Sequence, residues 1–83
     1  MKVLYFARLR QIAGKSEETV EPPSSVVTVR DLMAYLGERD EALAGAFSET
    51  RTIRAAINKS HVSLDAPLIG ANEVAFFPPV TGG

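Results

Sequence analysis

The chain is 83 residues long, carries nine basic and ten acidic side chains for a formal net charge of −1, and contains no cysteine. That length is one domain, which hides only about 60–65% of its unfolded surface, so a deep enclosed active site is not expected. The even charge balance argues against a nucleic-acid binder, and the missing cysteine excludes disulfides, thiolate metal sites and a thiol nucleophile.

The opening MKVLYFARLR is interrupted at Arg8, too early for a signal peptide, and no stretch reaches the ~20 apolar residues of a membrane span. Both features, with the lack of cysteine, lead to the expectation of a cytoplasmic protein. KVLYFA (Lys2–Ala7) is apolar at both parities and reads as a strand covered on both faces. RLRQIAG allows about one helical turn, stopped at Gly14. EETVEPP alternates weakly and ends at Pro22-Pro23, so it reads as an edge strand paired with the first through the turn Gly14–Ser16.

The main helix opens at Thr28, where Thr28 and Asp31 have the spacing of a capping box. Val29, Leu32, Met33 and Leu36 form one apolar stripe, and Gly37 is placed to end the helix. DEALAGAF (Asp40–Phe47) gives a short second helix. TIRAAIN (Thr52–Asn58) alternates as a strand, Asn58-Lys59-Ser60 is a turn, HVSL is a short strand and DAPLIGAN a loop. EVAFF (Glu73–Phe77) is the last strand, apolar at both parities and ended by Pro78-Pro79.

The most apolar strands are the first and last, so they are expected side by side in the centre. The resulting fold class is α+β: a β-grasp with a mixed sheet of about five strands, one main helix, a short second helix and a flexible C-terminal tail. Residues 1–77 form the domain and 78–83 the tail. One helical layer covers one sheet face. Alternation then lets Phe6 and Phe77 face away from the helix as a partner interface, with Tyr5 and Phe76 in the core.

Few motifs carry chemistry. AGKS (Ala13–Ser16) lacks the glycine of a phosphate loop five positions earlier, where Leu9 stands, and is read as a turn. Arg8, Arg10 and Lys15 are read as solvated loop cations. His61, the one histidine, has no grouped carboxylates to make a metal site and sits where a strand starts.

The ending FFPPVTGG differs in kind. Pro78-Pro79 stiffens an extended exit, and the six residues Pro78–Gly83 reach at most ~20 Å. Val80 supplies one apolar anchor, and Gly82 and Gly83, lacking Cβ, fit a channel too narrow for other residues. The working atom of such a probe is the Gly83 carboxylate. It is ionised at neutral pH and inert until activated, most simply as a mixed anhydride with AMP. A sulfur nucleophile then converts the activated carbonyl into a thiocarboxylate.

VAFFPPVTGG (Val74–Gly83), the opening VLYFARLRQIAG and the AAIN segment together resemble the small, sulfur-carrying subunits of molybdopterin synthase. The resemblance runs over essentially the whole chain and implies the ubiquitin-like β-grasp fold. It implies that a ubiquitin-activator-like adenylyltransferase uses ATP to adenylate Gly83, and that no cofactor is bound by the chain itself. It further implies that Pro78, Pro79, Val80, Thr81 and Gly82 insert into the large subunit, in an assembly of two large and two small subunits. There the Gly83 thiocarboxylate donates sulfur to cyclic pyranopterin monophosphate, in a catalytic pocket belonging to the large subunit. The departure is His61, at an interface position where the family tends to place an apolar residue. The tail alone leaves open a sulfur carrier for thiamine or tRNA thiolation, a protein modifier joined to lysine, and a plain interaction module. No metal, nucleic-acid or membrane partner is expected.

Overall fold

The computed structural model describes residues 1–79. The expectations for Val80, Thr81, Gly82 and Gly83 lie outside the described residues. Five strands, β1 (Lys2–Tyr5), β2 (Glu17–Thr19), β3 (Arg54–Ile57), β4 (Ser60–Val62) and β5 (Glu73–Phe77), form one sheet in the order β2-β1-β5-β3-β4. The central pair β1–β5 is parallel, with Lys2 opposite Glu73 and Tyr5 opposite Phe76. The other pairings are antiparallel. The helices are α1 (Arg8–Ala13), α2 (Val29–Arg39) and α3 (Glu41–Phe47), followed by a 3-10 turn at Thr50–Thr52.

The two apolar strands are central, as their composition demands. Val3 and Tyr5 of β1, Val74 and Phe76 of β5 and Ala55 of β3 are buried in one core with Leu32 and Leu36 of α2 and Leu43 and Phe47 of α3. The Phe47 and Phe76 rings meet at 5.1 Å with a tilt of 51°, a favourable aromatic geometry. All four stripe residues of α2 are buried.

The capping box forms. Asp31 N donates to Thr28 Oγ1 at 3.1 Å, while Thr28 N and Val27 N donate to Asp31 Oδ2 at 3.1 and 3.0 Å. The backbone donors at Val27 and Thr28 hold the Asp31 carboxyl below its ordinary range. Asp40 then ends α2 and caps α3, accepting from Ala42 N and Leu43 N.

Several boundaries differ from the sequence reading. Gly37 does not end α2, which runs on to Arg39. A Cβ at position 37 would meet Ala44 Cα at 3.1 Å and Cβ at 3.2 Å, so this glycine permits the close approach of α2 and α3. The first strand stops at Tyr5, because Leu9 N donates to Phe6 O at 3.1 Å and closes a turn with Ala7 at φ 54° and ψ −127°. Thr52 belongs to the 3-10 turn and β4 ends at Val62, so both strands are shorter than their alternation suggested.

The turn at Asn58-Lys59 has φ 48° and 73°, the twist that a two-residue hairpin requires. Asn58 also holds β5. Its Oδ1 accepts from Asn72 N at 2.9 Å and Glu73 N at 3.1 Å, and its Nδ2 donates to Gly70 O at 3.1 Å. Asn58→Ala loses these three bonds and places a side chain poorly suited to the left-handed region. A loss of about 2–4 kcal/mol is expected in urea unfolding.

Tyr5 is buried, and its hydroxyl donates to Glu18 Oε2 at 2.6 Å. Burial, reinforced by that bond to Glu18, pushes the phenol well above its ordinary value of 10.0. The native state therefore keeps a proton that the unfolded chain releases above about pH 10, so stability falls as pH rises beyond that point. Tyr5→Phe should flatten this alkaline limb, by up to about 1.4 kcal/mol per pH unit, in pH-dependent unfolding.

Candidate functional site

Alternation along the strands divides the sheet into a helix-covered face and a bare one. Val3, Tyr5, Val74 and Phe76 point to the helices and are buried. Leu4, Ala56, Ala75 and Phe77 point the other way and line a shallow dish of about 580 Å³ with Phe6, His61, Pro78 and Pro79. Nothing in the described chain covers it.

The register explains its shape. Ala56 of β3 lies opposite Ala75 of β5, and these two small side chains form the floor. Leu4 of β1 pairs with Ala75 and His61 of β4 pairs with Ala56, so larger groups rise on both sides. Phe77 stands at the end from which the chain leaves the sheet, and its ring lies 4.9 Å from that of His61 at 45°. Phe6 is 48% exposed, one of the large apolar side chains left to solvent. Lys59 and Glu73 also border the dish.

The structure thus brings together the three residues expected at an interface, Phe6, Phe77 and His61. Pro78 and Pro79 lie beside them, Pro78 exposed and Pro79 half-buried. The expected roles of Val80, Thr81, Gly82 and Gly83 fall outside the described residues. Sequence reasoning missed Leu4, Ala56 and Ala75. Their signal was present as strand parity, since each shares a face with Phe77 once the register is known.

Chemically the face offers an apolar floor and rings, bordered by His61, Lys59 and Glu73. Among the described residues, no three His, Asp or Glu side chains gather to hold a metal. His61 has an aromatic neighbour in place of the carboxylate a general base would use for orientation. No helix of the described residues is long and apolar enough to cross a membrane.

Sheet order and packing define a ubiquitin-like β-grasp domain. The chain belongs to the ThiS family, which it matches over residues 3–83. It is 39% identical over 83 residues to the molybdopterin synthase sulfur carrier subunit of Escherichia coli, covering 100% of this chain and 99% of that protein. Among solved structures it resembles a putative molybdopterin converting factor, subunit 1, from Pyrococcus furiosus, with a TM-score of 0.75 and 38% identity over 95% of each chain. SAMP1 from Haloferax volcanii matches with a TM-score of 0.75 and 28% identity over 99% of this chain and 97% of its own.

The two faces of β5 predict opposite mutational behaviour. Phe76→Ala empties the core and should cost about 3–5 kcal/mol. Phe77→Ala removes a half-exposed ring and should cost about 1–2 kcal/mol. Thermal or urea unfolding of the pair checks the contrast.

Proposed function

We propose that the chain is the sulfur carrier of a molybdopterin synthase and acts with a large subunit that holds the catalytic pocket. The observation that carries this reading is the bare apolar dish, which runs directly to the chain exit at Phe77-Pro78. The end-to-end likeness to named carrier subunits supports it.

In this reading residues 1–77 are the body and 78–83 the working tail. A ubiquitin-activator-like adenylyltransferase transfers AMP from ATP to the Gly83 carboxylate, releasing pyrophosphate. A sulfur nucleophile attacks the acyl carbon, AMP leaves, and Gly83 becomes a thiocarboxylate. The dish, with Phe6, Phe77 and His61, docks on the large subunit. Pro78, Pro79, Val80, Thr81 and Gly82 enter its active site. There Gly83 donates sulfur to cyclic pyranopterin monophosphate, and two such donations build the dithiolene of molybdopterin. The assembly is two large and two small subunits. The chain binds no cofactor, and ATP is consumed by the activating enzyme. The setting is the cytoplasm.

Intact mass measured after incubation with ATP, a sulfur source and the activating enzyme tests the chemistry. The expected result is a gain of one sulfur for one oxygen, mapped to Gly83 and lost when Gly82-Gly83 is removed. An unchanged mass, with a control carrier converted, overturns the reading. A gain of sulfur that the large subunit cannot pass to the pterin points to a carrier for another thiolation pathway. Phe77→Ala should weaken binding to the large subunit more than it lowers stability. A large drop in melting temperature with unchanged affinity would remove Phe77 from the interface.

A further inference from the structure

We propose that Arg8 and Arg54 form a cationic bracket at the root of the tail that engages carboxylates around the mouth of the partner's tail-accepting channel. This rests on the reading of the chain as a carrier. The strand order β1-β5-β3 places the chain exit between the two residues. Arg8 follows β1 and shares a small cleft with Ile53 and Pro78. Arg54 opens β3 directly opposite Phe77.

Both are built into position. Arg8 follows Ala7, whose φ of 54° is a conformation that L side chains rarely adopt, in the turn closed by Leu9 N on Phe6 O. Arg54 Nη1 donates to Ile53 O at 3.1 Å and Arg51 O at 3.3 Å, which holds its guanidinium over the 3-10 turn. Lys2, Lys15, Arg30 and Arg51 each pair with a carboxylate. Among the described residues, Arg8, Arg10, Arg39, Arg54 and Lys59 do not, and of these five Arg8 and Arg54 flank the exit between β1 and β3. The sequence cluster of Arg8, Arg10 and Lys15 is therefore divided: Lys15 belongs to Glu18 at 3.4 Å, while Arg8 stands at the exit.

The tail tip fixes the sign of the channel floor, and the bracket that of its mouth. A terminal carboxylate is an anion, at most ~20 Å from the bracket. A channel that holds this anion needs donors or cations at its floor. Cations continued from floor to mouth would repel Arg8 and Arg54, whereas carboxylates at the mouth complement them. Exposed pairs of this kind add little to affinity but accelerate association.

The test is association of the Arg8→Glu/Arg54→Glu double variant with the large synthase subunit at about 50 and about 500 mM NaCl. The association rate should fall about tenfold at low salt and converge on wild type at high salt, with little change in dissociation rate. Arg8→Lys/Arg54→Lys should keep the fast association, and unchanged melting temperatures separate docking from folding. An unaltered rate at low salt, with Phe77→Ala still weakening the complex, overturns the bracket and leaves the carrier reading standing. If the wild-type chain does not bind the large subunit, the carrier reading fails and takes the bracket with it. Faster association of the Glu variant would mean a basic mouth, and also overturns the proposal.

Discussion

A single layer of helices cannot cover a sheet that is apolar on both faces. β1 and β5 carry apolar side chains at both parities, and α2 and α3 pack against only one of them. The other face is left with Leu4, Phe6 and Phe77 around a floor of alanines. In an isolated domain this arrangement forfeits burial that the same residues would gain against a partner. Because β5 ends in that face, the chain leaves the body at the border of its stickiest surface.

The two faces also differ in the interactions they contain. The helix side contains the aromatic contact of Phe47 with Phe76, the capping box of Thr28 and Asp31, and the hydrogen bond from Tyr5 to Glu18. The bare side contains the small alanines and the tilted contact of His61 with Phe77. Small floor residues keep the dish open, so its shape depends on what is missing at Ala56 and Ala75 as much as on the rings around them. His61 makes the rim amphipathic, apolar where its ring meets Phe77 and polar at its nitrogens.

Much of this was legible in the sequence because strands and helices carry period signals. The double-parity apolar runs identified the central strands, and parity alone sent Phe6 and Phe77 to one face and Tyr5 and Phe76 to the other. What was not legible depends on long-range neighbours. Gly37 has the look of a helix stop, yet its role is set by Ala44 on another helix. Asn58 reads as a turn residue, but the backbone groups it binds lie twelve to fifteen residues away. Arg8 and Arg54 are 46 positions apart and flank the chain exit only because β5 runs between β1 and β3. The tail chemistry was read from Gly82-Gly83 and its prolines, through composition and reach rather than through packing.

The parallel pairing of β1 and β5 has a mechanical side. The start of β1 lies beside the start of β5, at Lys2 and Glu73, and the exit at Phe77 is at the opposite pole. Pulling the body by Lys2 and Phe77 drives the two strands past each other along their length. The load is a shear, shared at once by the whole ladder between them, including Lys2 N on Asn72 O and Phe6 N on Phe76 O. The same pull on an antiparallel hairpin would open its bonds singly, like a zipper. Tension applied between these two points is therefore borne by the β1–β5 ladder as a whole rather than by one bond at a time.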